Sequence, residues 1–251
     1  MSAVSRRTFM KAAGAAAATI KASSTTAATA GDAKPAGKAA PARARSFLTA
    51  PEAATLAAMV ERIIPSDDSG PGAKEAGVAT YIDLQLAGPW GAGERLYRSG
   101  PWKAGEPSQG YQLPFTPAEL FRHALRAIDD DLTRNRRTTF AQLPGQDQDA
   151  YLESLEKGGH DLGGVPSKVF FESLLELCVE GYFCDPVYGG NKDKVAWKAI
   201  GFPGAYANYY ELVDRYNVAF TAPPISLAED AHGVVHRQPF IPAQVVAVKG
   251  K

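Results

Sequence analysis

Cysteine is scarce in this sequence: Cys178 and Cys184 are the only two among 251 residues. Two cysteines cannot build a multi-bridged secreted scaffold. Neither Cys-x-x-Cys nor Cys-x-x-Cys-His occurs, which excludes a covalent c-type haem and weakens any iron–sulfur site. Excess charge is missing too, with 27 Lys and Arg against 27 Asp and Glu. A nucleic-acid binder would carry a basic excess or stripe. No stretch approaches 18 consecutive apolar residues, so the sequence predicts a chain without a membrane span of its own. Gly-x-Ser-x-Gly is absent, and with it a nucleophile elbow. No Gly-x-Gly-x-x-Gly follows a strand, so the usual dinucleotide cradle is missing. The composition is otherwise ordinary for a globular protein, 45% apolar and 22% charged, with ample length for a sizeable core.

The N-terminus reads as an address. Ser5-Arg6-Arg7-Thr8-Phe9-Met10-Lys11 precedes an alanine-rich apolar run from Ala12 to Ile20, too short to span a bilayer. A positive start, a short apolar middle and a small-residue end describe an export signal. Paired arginines before a weakly hydrophobic run point to the twin-arginine route, which moves folded proteins. Cleavage is expected after Ala30, behind Ala28-Thr29-Ala30. Residues 1–30 hold Arg6, Arg7, Lys11 and Lys21 and no acid, so 27 less 4 leaves 23 basic against 27 acidic residues, a net −4 for the processed chain. Residues 31–46 contain no large apolar side chain before Phe47 and read as a flexible leader.

From residue 47 to 222 the pattern is mainly α, a compact multi-helix domain with long loops rich in Gly, Pro and aromatics. Thr49-Ala50-Pro51-Glu52 is a capping box ahead of Leu56, Met59, Val60, Ile63 and Ile64, and Pro65 stops that helix. A second helix carries Val78, Tyr81, Ile82 and Leu86 on one side. Residues 88–114 read as a long loop in which Trp90, Tyr97, Trp102 and Tyr111 argue for packing on something. Thr116-Pro117-Ala118-Glu119 opens a helix through Leu120, Ala124, Ile128 and Leu132 to about Arg137. Shorter periodic runs predict a helix from Gln146 to Lys157, and another from Pro166 and Ser167 to near Gly181. Residues 223–251 read as an extended C-terminal arm, with Val234-Val235 and Val245 to Val248 as candidate short strands.

His232 and His236 stand four apart, a metal-binding spacing on a helix. Gly233 and the β-branched Val234-Val235 lie between them and disfavour helix, so chance spacing is the preferred reading over a free-standing metallo-enzyme. Asp185, Asn191 and Asp193 miss the EF-hand spacing, and hydrogen bonds within their own turns are expected. Cys178 and Cys184 flank a helix end. They can pair with each other, or Cys178 can be buried while Cys184 bonds a partner chain.

The densest stretch runs Glu180-Gly-Tyr182-Phe183-Cys184-Asp185-Pro-Val-Tyr188-Gly-Gly-Asn191-Lys-Asp193 and continues through Trp197-Lys to Ile200-Gly-Phe202-Pro-Gly204. Tyr and Trp are enriched at binding hot spots. We therefore expect a partner interface at Tyr182, Phe183, Asp185, Tyr188, Asn191, Trp197 and Phe202, joined by Trp90 and Trp102. A loop folded back on its own core is the competing reading. This stretch resembles the signature of the small subunit (subunit 3) of gluconate 2-dehydrogenase, with relatives in FAD-dependent glucose and fructose dehydrogenase complexes. Arg62-Ile-Ile-Pro-Ser-Asp67, Pro71-Gly-Ala73, Ala76-Gly-Val78 and Tyr81-Ile-Asp83 match as well. The loop around Gly88-Pro-Trp90 and Gln109 to Pro114 looks like the longer, gluconate-type members.

The resemblance implies a non-catalytic subunit with no cofactor of its own. Its partners would be a FAD-containing subunit of the glucose-methanol-choline type and a multihaem cytochrome c subunit, which carries haem c and passes electrons towards ubiquinone. It implies a periplasmic complex held at the inner membrane through other subunits. The small subunit would escort the flavin subunit, pre-folded, through the twin-arginine translocase. A sugar-acid-binding module is the remaining alternative from another class.

Overall fold

Thr49 sets where the first helix begins. In the computed structural model its extended backbone N–H donates to the Glu52 carboxylate at 2.8 Å, and Pro51 supplies a φ already suited to a first turn. The structure describes residues 47–235 except 69, 104, 107, 108, 207, 208, 219 and 231. Arg6, Arg7, Phe9, the leader, His236 and residues 245–248 lie outside the described residues. Helix α1 (Ala50–Ile63) buries Leu56, Met59 and Val60, the face expected from their spacing. Helix α2 (Val78–Ala87) follows a turn and buries Val78, Tyr81, Ile82 and Leu86.

The second capping box is realised in full. Thr116 N donates to Glu119 Oε2 at 2.8 Å, and Glu119 N donates back to Thr116 Oγ1 at 3.2 Å. Helix α3 (Pro117–Arg136) runs on from it, burying Leu120, Phe121, Ala124, Leu125, Ile128 and Leu132. It stops where Arg137 turns left-handed. Helix α4 (Gly145–Lys157) starts one residue before the expected Gln146.

Helix α5 (Ser167–Phe183) runs two residues beyond the expected Gly181. It packs against α4 and α2 most extensively and also touches α1 and α3, which makes it the centre of the bundle. Its contacted sides are apolar, while Lys168, Glu172, Glu176 and Glu180, four residues apart, keep one side in water. Phe170, Phe171, Leu174, Leu177, Cys178 and Tyr182 are all buried along it. A short helix α6 (Val195–Ile200) closes the set. Among the described residues there is no sheet, only isolated bridges. The strand anticipated at Val234-Val235 is a single bridge between Glu229 and Val235.

Candidate functional site

The end of α5 hands the chain to the aromatic signature, and Asn191 organises the turns there. Asn191 is fully buried with φ +42°, a left-handed conformation that Asn tolerates better than most residues. Its Nδ2 donates to Cys184 O at 2.9 Å, and its Oδ1 accepts from Ala196 N at 3.0 Å. Its backbone N–H donates to Gly181 O at 3.0 Å. One side chain thus ties the end of α5 to the start of α6. Gly190 lies against the carbonyl of Gly181 so closely that a Cβ there would collide with backbone.

Asp185 plays the second organising part. Its Oδ1 accepts from Val187 N at 2.9 Å, capping a short 3-10 turn (Pro186–Tyr188). It also accepts the Ser226 hydroxyl, and its Oδ2 accepts from Leu227 N at 2.9 Å. Lys194 Nζ meets both oxygens of Glu229, at 2.6 and 2.7 Å, in a pair whose side chains are only 14% and 10% exposed. Burial pushes the Glu229 carboxyl up, but its bonds to Lys194 and Ser226 outweigh that and hold it below the usual carboxylate range. Tyr182 Oη donates to Pro71 O at 2.8 Å, and Trp197 Nε1 donates to Phe183 O at 2.8 Å. Tyr182 meets Phe183 edge-on at 5.1 Å, as Trp197 meets Phe202.

The predicted interface residues therefore separate into two sets. Tyr182, Asp185, Asn191 and Trp197 are buried and Phe183 is half-buried, each engaged with the chain's own backbone or rings. Tyr188 and Phe202 stand 53% and 45% exposed, and Trp90 and Trp102 are exposed as well. The reading of the signature as a loop folded on its own core holds for the first set. Surface remains only for the second. Of the bonds expected within their own turns, Asp185 makes one, to Val187 N, while its bonds from Ser226 and Leu227 come from a remote segment and Asn191 reaches out of its turn to Cys184 and Ala196.

Trp102, Tyr111, Leu96, Tyr97 and Arg98 of the 88–114 loop, with Phe115 just after it, line most of a hollow of about 70 Å³. Tyr111 Oη donates to Phe115 O at 2.6 Å, and burial pushes this phenol up to about 12. Trp90 and Tyr97 project to solvent.

Sequence reasoning missed a further set. Ile200, Tyr209, Tyr210, Val213, Tyr216 and Val218 are all exposed, and Tyr210 and Tyr216 almost fully so. A signal was present, since Tyr206, Tyr209, Tyr210, Tyr216 and Phe220 crowd a short stretch at the offsets of one helical face, although the element found there is a 3-10 turn, Tyr210–Leu212. The Lys194–Glu229 pair carried no sequence signal, because its members are far apart in the chain.

No disulfide joins Cys178 to Cys184. Cys178 is buried, and burial pushes its thiol up to about 12, which makes it an inert small hydrophobe. Cys184 is half-buried, its Sγ donating to Gly181 O at 3.4 Å. His232 sits exposed in a turn rather than on a helix, with Asp230 Oδ1 accepting from His232 N and Val234 N. The helical geometry that would set two imidazoles on one face is therefore missing at its first member. Among the described residues no cluster of His, Cys, Asp and Glu is arranged for a metal ion, and no helix is long and apolar enough to cross a membrane.

A family model described as Gluconate 2-dehydrogenase subunit 3 matches residues 50–204, well over half the chain. No curated protein and no solved structure matches it.

Proposed function

The chain belongs to the gluconate 2-dehydrogenase subunit 3 family, and on that premise we propose that it is the non-catalytic small subunit of a FAD-dependent gluconate 2-dehydrogenase-type complex. In this reading the flavin subunit, of the glucose-methanol-choline type, binds FAD and oxidises the sugar acid. A multihaem cytochrome c subunit carries the electrons away. The small subunit stabilises the flavin subunit and escorts it, folded, through the twin-arginine translocase, using Arg6, Arg7 and Phe9. The complex then sits in the periplasm, held at the inner membrane through its other subunits.

One observation supports this reading above the rest. Asp185, Asn191 and Lys194 of the signature are engaged within the chain, while Tyr188 and Phe202 are left in water along with Lys192, Asp193 and Lys198. Exposed aromatic rings in company with charged side chains are the make-up of an interface with an apolar centre and a polar rim.

The test is co-expression of the flavin subunit with this chain, without it, and with Arg6→Lys and Arg7→Lys together. Periplasmic dehydrogenase activity is expected only in the first case, with the flavin subunit retained in the cytoplasm in the third. Equal periplasmic activity with and without the chain overturns the escort role.

A further inference from the structure

Beyond α6 the chain changes character. Among the described residues, none after Ala196 belongs to the buried hydrophobic core, apart from Trp197 at its margin. Residues 203–229 instead form a loop closed at its own neck. Ala205 N donates to Ile225 O at 2.8 Å and Ile225 N donates to Pro203 O at 3.2 Å, a parallel bridge between Gly204 and Ile225. Tyr206 Oη donates to Pro223 O at 2.9 Å. Tyr206, Tyr209 and Phe220 pack on one another with centroids 4.9 to 6.2 Å apart. The loop is its own aromatic cluster, turned outward.

The hydrogen bonds and the ion pair from this closed loop to the helical body lie at the neck, where the Trp197 ring also lies against Gly204. Ser226 Oγ and Leu227 N both donate to the Asp185 carboxylate. Two residues further on, Glu229 meets Lys194 in a pair that is almost out of water, and Glu229 Oε2 also accepts from Ser226 N at 2.8 Å. Both body residues are rigidly placed. Asp185 caps the 3-10 turn after α5, and Lys194 directly precedes α6, its own N–H bonded to Asn191 O at 2.8 Å.

We propose that residues 203–229 are a strap, clasped onto the signature by Asp185 and Lys194, and that this clasp decides the strap's position while the helical core stands without it. Asp185 and Lys194 are then positioning residues. Local opening of such a unit takes less free energy than global unfolding, because it exposes few core contacts. Removing one member of a buried ion pair leaves the other uncompensated and favours opening. A consequence for assembly, that the clasp presents the tyrosine cluster to the flavin subunit, rests on the function proposed above. The strap itself does not.

Hydrogen exchange followed by mass spectrometry on the full-length protein alone decides the matter. Glu229→Gln is the main variant, since the Glu229 carboxylate bonds Lys194 and Ser226 at the clasp, and Asp185→Asn is the second. In both, peptides covering 203–206 and 223–230 are expected to exchange at least about tenfold faster than in the wild type, in proportion to the open population. Peptides from α1, α3 and α5 keep their wild-type rates. Unchanged exchange at the neck in Glu229→Gln means that packing holds the strap, and the proposal falls. Equal acceleration in the core helices means that the strap is an integral part of the domain, and the proposal also falls. Neither readout needs a partner, so the strap can stand or fall apart from the escort role.

Discussion

At the scale of single residues, the chain's carboxylates divide by their surroundings. Glu52 is buried under the start of α1, where it accepts from Thr49 N at 2.8 Å and from Arg126 Nε at 3.0 Å, with Arg122 at 3.7 Å. Burial pushes its carboxyl up, but those bonds and the Arg122 charge outweigh burial and hold it below the usual range. Its folded-state affinity for protons is therefore lower than in the unfolded chain. The stability it contributes is present above the ordinary carboxylate range and is lost as pH falls through the lowered value. Asp129 has the opposite sign. Burial raises it against its bonds from Thr55 and Phe140, so its contribution favours folding at low pH and weakens as pH rises through the raised value. Glu52→Gln should cost about 1–2 kcal/mol near neutral pH, because Arg122 and Arg126 keep partial access to water when they lose their partner. The gap from wild type should narrow towards about pH 3. Urea unfolding at the two pH values checks both statements; a gap that stays constant would sink the assignment.

Among elements, α5 is the one on which the others depend. Its apolar sides and central contacts predict that truncation there is felt throughout the bundle. Leu174→Ala, at a fully buried position, should cost about 2–5 kcal/mol, with a lowered melting temperature and an unchanged helical spectrum before the transition. The junction leaving α5 is equally constrained. A Cβ on Gly190 would strike the Gly181 carbonyl, and one on Gly181 would come within 2.6 Å of Tyr81 Cδ1. Gly190→Ala should therefore destabilise by about 1–3 kcal/mol, as overpacking does. It should do so more than Gly201→Ala, where nothing lies within 4 Å and the cost is that of a left-handed φ of +70°. Comparison of the two thermal melts tests this, since equal shifts would mean that the collision costs no more than left-handed strain does.

The helices were legible in the sequence because their signals are local. Two capping boxes, proline at the first turn and the 3.6-residue recurrence of apolar side chains act within one or two turns of chain. The boundaries of α1 and α3 follow them closely. The extension of α5 to Phe183 was less legible. Its last turn is held by tertiary contacts such as Tyr182 on Pro71 and Tyr81 Oη on Glu180 Oε2, and a run of sequence does not display those.

For the whole molecule, the useful quantity is the apolar surface left over after the core is built. Tyr188, Phe202, Trp90 and Trp102 lie in or beside the two aromatic loops, and Tyr209, Tyr210 and Tyr216 extend the exposed set into the strap. Surface substitutions away from special contacts change stability by no more than about 0.5 kcal/mol. Tyr188→Ser combined with Phe202→Ser should thus leave the melting temperature of the isolated chain nearly unchanged, with a modest loss from the Trp197–Phe202 contact. It should still reduce recovery of the flavin subunit when the two are co-purified. A large fall in melting temperature with undiminished recovery would show that these rings serve the fold.

The sequence alone determined the helical architecture and, through one long signature, the family. Both rest on information carried in neighbouring residues. Which aromatic rings of that signature turn inward was decided only in three dimensions. Between Gly189 and Lys194 the backbone departs repeatedly from regular angles, with Asn191, Asp193 and Lys194 all at positive φ. No fixed period relates position to direction in such a stretch, so Trp197 and Asn191 could be identified but not oriented. The partners that fix them come from remote segments: Pro71 for Tyr182, Ser226 for Asp185 and Glu229 for Lys194. Long-range closure of this kind is a property of the folded chain, and no local pattern encodes it.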